Sequence, residues 1–201
     1  MALLFAKNNS LSAVTALPAS ISGGGLNLIS TQTASSSSTI DFTSGIDSTY
    51  KEYIFKFINI HPSADGSQFL FNLSVDAGSN YNVTKTTTAF RSFHSEDDSA
   101  TGLGYYTGGD LAQSTDFQRF ADSLGNDNDQ SLSGTFTLFN PSSTTFFKHF
   151  IANVNYSYDA DYSLQFLMAG YGNTTSAVDA VQFKMNSGNI DAGTITLYGI
   201  N

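Results

Sequence analysis

Apolar and polar residues alternate along three short segments in the middle of the chain. In QFLFNLSV, every second residue from Phe69 to Val75 is apolar, and the residues between them are mostly polar. SLSGTFTLF and YSLQFLMAG repeat this pattern. A period of two indicates a β-strand with one buried face. The residues predicted to face inward are Phe69, Phe71, Leu73, Val75, Leu132, Phe136, Leu138, Tyr162, Leu164, Phe166 and Met168.

The segment YKEYIFKFINIHP has apolar residues on both sides of a predicted strand. One face holds Tyr53, Phe55 and Phe57, and the other holds three isoleucines among charged residues. Such a strand is buried on both sides, or it is buried on one side and covered by an N-terminal arm on the other. Pro62 ends the strand because proline cannot donate to a ladder. The isoleucines are Ile54, Ile58 and Ile60.

Short strands of this kind follow one another along most of the chain. Eight or nine of them, separated by turns rich in Gly, Asn, Asp and Ser, are typical of an all-β fold. We predict an antiparallel two-sheet sandwich with a jelly-roll-like topology, in which the last strand takes an interior or inner-edge position. The further strands are predicted at 39–43, 81–93, 146–157, 178–185 and 190–200.

One segment suggests a helix. The apolar residues from Leu111 to Leu124 partly follow helical spacing, and Gly125 suits a C-terminal cap. We therefore predict at most one short helix, within residues 111–125.

The first 38 residues differ from the rest of the chain. They contain Pro18, the triplet Gly23–Gly25 and the run STQTASSSS, and they show no sustained periodicity. We predict an extended N-terminal arm over residues 1–38 and a β-sandwich domain over residues 39–201. Within the arm, the segment from Leu26 to Ile29 is compatible with one short strand.

The tip of this arm carries irregularly spaced apolar residues. Such spacing suits an extended strap whose side chains enter separate pockets, and a disordered tail is the alternative. The apolar run at the start is too short for a secretory signal, so we interpret it as part of the mature protein. We predict that the arm attaches the protein to a partner. The residues concerned are Leu3, Leu4, Phe5, Leu11, Val14 and Leu17.

Composition excludes several classes of function. The 201 residues include no cysteine, which rules out disulfides and thiol catalysis. Acidic residues outnumber Lys and Arg 17 to 8, for a net charge of −9, so no basic face is expected and nucleic-acid binding is excluded. No segment approaches the run of about 20 apolar residues that a membrane span requires.

Candidate chemical sites are few. The three histidines, His61, His94 and His149, lie far apart in the sequence and outside any hydrolase motif, so we predict no enzymatic activity. Tyr105 and Tyr106 in TGLGYYTGGD are candidate platforms for a glycan, with sheet packing as the alternative.

Three acidic clusters are candidate calcium sites. HSEDDSA, GNDNDQS and YDADY offer the oxygen ligands that calcium prefers, although none completes an EF-hand loop. Solvated turns are the alternative interpretation, and no other cofactor is predicted. The candidate ligands are Glu96, Asp97, Asp98, Asp127 and Asp129.

Three stretches together carry a resemblance to a known group of proteins. They are the segment from NNSLSAVTALPAS through YKEYIFKFINIHP, the middle segments SNYNVTKTTT and SLSGTFTLFNPSSTTFFKHF, and the closing GTITLYGI. In these stretches the chain resembles small virion-associated structural proteins of marine tailed bacteriophages, especially those that infect cyanobacteria.

The resemblance implies a non-enzymatic particle component: a tail fibre, an appendage or a capsid decoration protein. Such a protein is made in the host cytoplasm, resides on the virion and contacts other virion proteins. It implies no catalytic residues. We expect a homo-oligomer, with a trimer preferred. The alternatives are a carbohydrate-binding module for recognition of the host surface and, less favoured, a hydrolase of host glycans.

Overall fold

The chain folds into two antiparallel β-sheets. The computed structural model describes residues 25–200, which form twelve strands and no helix. The strands are β1 (Asn27–Thr33), β2 (Ile40–Phe42), β3 (Glu52–Pro62), β4 (Phe69–Ser74), β5 (Lys85–Ser95), β6 (Thr101–Tyr105), β7 (Gln118–Arg119), β8 (Leu132–Phe139), β9 (Lys148–Tyr158), β10 (Tyr162–Gly172), β11 (Ala180–Met185) and β12 (Ile190–Ile200).

The strand order separates a large sheet from a small one. Eight strands form the large sheet in the order β1-β12-β3-β8-β9-β10-β5-β6, and four form the small sheet in the order β2-β11-β4-β7. The predicted all-β, antiparallel two-sheet sandwich is confirmed, whereas the jelly-roll topology stays a prediction. β12 lies between β1 and β3, so the last strand occupies the interior position expected of it.

Aromatic side chains from both sheets form the core. Phe183 on the small sheet packs against Phe55 and Phe57 on the large sheet, with ring centroids 5.3 Å and 5.4 Å apart. Phe71 and Phe136 meet across the same layer at 4.5 Å. The residues predicted to face inward on β4, β8 and β10 are buried, except that Tyr162 is only partly buried and Val75, which follows β4, is exposed.

The apolar residues of β3 change from one face of the strand to the other at a bulge. Tyr53, Phe55 and Phe57 are buried, but Ile58 is 51% exposed and Ile60 is 0% exposed. The pairing register with β8 shifts between Phe57 and Ile60, and Asn59 in that interval has a positive φ of 51°. This β-bulge adds a residue and turns Ile60 inward, so the prediction that Ile58 and Ile60 share a face was wrong.

The helix predicted within residues 111–125 is absent. The segment is largely irregular and contains β7, and its backbone bonds to other segments: the amide of Phe120 donates to the carbonyl of Phe69 at 2.7 Å, and that of Leu124 donates to Ser67 at 2.7 Å. Phe120 packs on Phe71 with centroids 4.7 Å apart. The spacing of the apolar residues in this segment therefore reflects burial at the edge of the small sheet and not a helical period.

The predicted arm is described only from Gly25 onward. Residues Asn27–Thr33 form β1, the edge strand of the large sheet, which pairs with β12 and agrees with the short strand expected near Leu28. The apolar residues at the tip, from Leu3 to Leu17, lie outside the described residues, so attachment through the arm stays a prediction.

Candidate functional site

The outer face of the large sheet points away from the small sheet and carries few acidic residues. Strands β1, β5, β6, β8, β9 and β10 contain no Asp or Glu, although the chain carries a net charge of −9. The acidic side chains are concentrated in the connecting loops. This face is therefore nearly free of carboxylates.

One part of this face is an apolar patch. Across it, Phe90 pairs with Leu167 of β10 on one side and with Tyr105 of β6 on the other. Phe147 stacks on Tyr171 with ring centroids 5.3 Å apart and an interplanar angle of 7°. We define the apolar patch by six side chains, all between 42% and 83% exposed: Phe90, Leu103, Tyr105, Phe147, Ile151 and Leu167.

The adjoining part of the face is a polar groove of 530 Å³. It lies toward the β9–β10 hairpin and crosses β5, β10, β9 and β8. His94 is the one titratable side chain among its lining residues. We define the polar groove by Ser92, Asn153, Asn155, Ser163 and Gln165, with Phe93, His94, Ser133 and Gly134 completing the lining.

Hydrogen bonds orient the amide side chains in the groove. Asn155 Nδ2 donates to Ser163 Oγ at 3.2 Å and to the Leu164 carbonyl at 3.1 Å. Gln165 Nε2 donates to Asn153 Oδ1 at 3.0 Å. These residues were not among the candidates predicted from the sequence. The available signal was the presence of amides, and no charged residues, at the exposed alternate positions of β9 and β10.

The two candidate glycan platforms differ in their surroundings. Tyr105 is 49% exposed, meets Phe90 edge-to-face at 5.4 Å, and donates its hydroxyl to the Asp110 carboxylate, which raises the pKa of Tyr105. The Arg91 guanidinium lies 4.0 Å from the ring centroid of Tyr106, whose hydroxyl donates to Asp122. Tyr105 thus belongs to the accessible face, whereas Tyr106 is engaged in internal packing.

The acidic clusters bind their own loops. Asp97 accepts from the Ser99 amide at 3.0 Å, and hydrogen bonds from Ser99 lower the pKa of the Asp97 carboxyl. Asp98 lies 3.2 Å from His94 Nε2. Glu96 and Asp97 line one hollow, and Asp129 lines a different one.

These positions do not assemble into a metal site. Among residues 25–200, no three His, Asp or Glu side chains come together in a group that could hold a metal ion. Asp127 uses its backbone in the turn before β8, where its carbonyl accepts from the Gln130 amide at 2.9 Å. The geometry therefore gives the calcium hypothesis no support.

Comparison with known proteins does not place the chain in a family. No protein-family model matches the sequence, and no curated protein matches it significantly. Within the part of the chain that the structure describes, no helix is long and apolar enough to cross a membrane.

Proposed function

We propose that this protein is a non-enzymatic structural component of a tailed-phage virion: a tail fibre, an appendage or a capsid decoration protein. The observation that supports this function most directly is the apolar patch on a sheet face that is nearly free of carboxylates. The fold and the resemblance of the sequence to virion-associated proteins agree with this role. In this proposal the patch is a contact surface between copies of the chain.

The size and setting of the patch favour a protein contact. Single exposed apolar residues are ordinary on protein surfaces, but contiguous ones commonly mark interaction sites. Leu103, at 83% exposure, and its neighbours on β5, β6 and β10 adjoin one another on one face. Burying them against a second copy would remove apolar area from water, and the strands that carry them contain no Asp or Glu.

Electrostatics favours the same face for self-association. Copies of a chain with a net charge of −9 repel one another. A contact made through the outer face keeps the acidic loops at the periphery, where solvent and salt screen them. We therefore propose a homo-oligomer in which a second copy covers the patch, with a trimer as the preferred assembly.

The N-terminal arm supplies attachment to other virion proteins in this proposal. β1, the first described strand, lies at the edge of the large sheet. A truncated protein that begins at Gly25 retains β1, whereas one that begins at Thr39 lacks this edge strand. The shorter truncation is therefore the sharper test of attachment, and we expect it to fold but not to join particles.

Two experiments test the proposed function. Peptides of this chain should be found in purified tailed-phage particles, and a particle density map should place the sandwich at repeated positions; their absence from the particles would overturn the virion assignment. In solution, sedimentation at micromolar concentration should show an oligomer that Ile151→Asn disrupts. The matched substitution Asn153→Ser, two residues along the same strand, should leave the oligomer intact. A monomeric wild-type protein would overturn the self-association.

A further inference from the structure

We propose that the polar groove binds a short, uncharged oligosaccharide. This inference goes beyond the structural role, because it assigns a ligand site to the part of the outer face that adjoins the apolar patch at Leu103. It also moves the expected glycan site away from Tyr106 and toward the amides of β9 and β10.

The groove contains a continuous row of polar side chains across four strands. Ser92 pairs with Gln165, Gln165 pairs with Asn155, and Asn155 pairs with Ser133. Neighbouring strands lie about 4.8 Å apart, so the row extends over roughly 14 Å. An elongated ligand can therefore contact each strand in turn.

The chemistry of this row matches sugar hydroxyls. An amide side chain offers both donors and acceptors, as does each serine hydroxyl. Since Gln165 Nε2 bonds to Asn153 Oδ1, the Gln165 oxygen and the Asn153 Nδ2 group have no side-chain partner among residues 25–200. They remain available to a ligand that can both donate and accept. A neutral sugar has this property at every hydroxyl.

The absence of charge in the lining narrows the ligand class. The groove offers no Lys, Arg, Asp or Glu side chain, and His94 is engaged with Asp98 at 3.2 Å. A sulfated or uronic acid polymer would find no cation to compensate its desolvation. An uncharged saccharide meets no such cost.

Strands and internal hydrogen bonds hold the side chains of the groove in place. Its side chains project from strands and not from loops, and Asn155 is fixed by hydrogen bonds to Ser163 and to the Leu164 carbonyl. A ligand therefore does not have to order the protein on binding, which reduces the entropic cost of association.

Side chains of the apolar patch adjoin the groove at Ser92, outside its lining. Leu103 pairs with Ser92, and Phe90 and Tyr105 pair at the next outward-facing position. Hydrogen bonding to Asp110 holds the Tyr105 ring in place while leaving it half exposed. Aromatic rings of this kind provide rigid contact area for the apolar face of a ligand. A ligand that matches this arrangement has both hydroxyl groups and an apolar ring face, as a neutral hexopyranose does.

The test measures binding of defined saccharides to the full chain. An array of neutral hexose and N-acetylhexosamine oligosaccharides is compared with sulfated and uronic acid polymers, and hits are titrated by calorimetry. We expect binding of neutral members only, weakened at least tenfold by Gln165→Ala and by Asn155→Ala. The control Asn128→Ala removes an exposed amide outside the polar groove and should bind normally. Thermal melting of each variant verifies the fold.

The outcomes separate this inference from the structural role. No binding to any neutral saccharide, preference for the charged polymers, or equal binding by the folded groove variants would overturn it. Particle incorporation of Gln165→Ala should remain at the wild-type level. Conversely, the patch variant Ile151→Asn should lose self-association and retain saccharide binding as a monomer, measured per chain.

Discussion

The inner and outer faces of the large sheet use the same strands for different purposes. On β9, Phe150 is 1% exposed and the next residue, Ile151, is 52% exposed. The inner face must fill the space beneath the small sheet, so its residues are constrained by packing. The outer face requires only side chains that suit a pleated strand, and it is therefore free to carry binding surfaces.

The largest loss of stability is expected when an aromatic ring is removed from the inner face. Phe136 packs against Phe71 at 4.5 Å and against Phe120 at 5.4 Å, so Phe136→Ala leaves a cavity and should lower the unfolding free energy by about 3–5 kcal/mol. Ile151→Ala, one row away on the outer face, should cost less than about 1 kcal/mol. Equal denaturation midpoints for the two variants would contradict the assignment of faces.

Lys85 is one of two fully buried lysines on the large sheet, the other being Lys148. Lys85 is 0% exposed, and its Nζ donates to Asn72 Oδ1 at 2.5 Å and to the Val83 carbonyl at 2.8 Å. Burial lowers the pKa of Lys85 from 10.5 to about 7. Between these values the unfolded chain binds more protons than the folded protein, so stability should increase as the pH rises.

The corresponding prediction compares pH profiles. From pH 7 to 9.5 the wild-type unfolding free energy should rise by an amount on the order of 3 kcal/mol relative to Lys85→Met, which cannot titrate at this position. Above about pH 10 ionisation of tyrosines in the unfolded chain opposes this trend, because burial raises the pKa of Tyr156 in the folded protein. Parallel profiles for the two proteins would show that Lys85 keeps an ordinary pKa.

A smaller change in stability is expected at the bulge in β3, where the buried positions shift by one residue. Asn59 adopts a positive φ of 51° in the bulge that separates exposed Ile58 from buried Ile60. Asn59→Val should cost about 1–2 kcal/mol because a branched side chain is disfavoured in the left-handed region, whereas Asn59→Gly should be nearly neutral. Chemical denaturation measures both. A neutral valine variant would mean that the bulge relaxes without affecting the core.

The inner face was largely predictable from sequence because burial enforces a period of two. Phe69, Phe71 and Leu73 are buried as that period predicted, but β4 has no exposed face, because Leu70, Asn72 and Ser74 between them are buried as well. The bulge at Asn59 was not predictable, since its single added residue leaves no compositional mark. Phe120 imitated a helical period because its backbone bonds to β4, a contact that local spacing does not encode.

The candidate site was harder to predict for a different physical reason. The row from Ser92 through Gln165 to Asn155 exists only when three strands pair in one register. Each residue alone is an ordinary polar position on a strand. Tyr105, at the end of β6, was recognisable because an aromatic residue in a glycine-rich segment is informative by itself, whereas the amides indicate a site only together with their neighbours.

The smallest change in stability is expected for a substitution in the apolar patch on the outer face. Leu167 lies in the apolar patch and is 42% exposed, and Leu167→Thr retains a residue suited to strands. The unfolding free energy of the monomer should change by less than about 0.5 kcal/mol, measured by denaturation at low concentration. Self-association should nevertheless weaken, because apolar area is removed from the proposed contact.

Gln165→Thr is the matched control for Leu167→Thr, since it lies two residues earlier on the same strand and faces the polar groove. It should keep the wild-type sedimentation profile and lose saccharide binding, the reverse of the Leu167 variant. A stability loss above about 2 kcal/mol for Leu167→Thr would place that side chain in a packed interior. An unchanged association constant would show that copies of the chain meet elsewhere, and the outer face would then serve ligand binding alone.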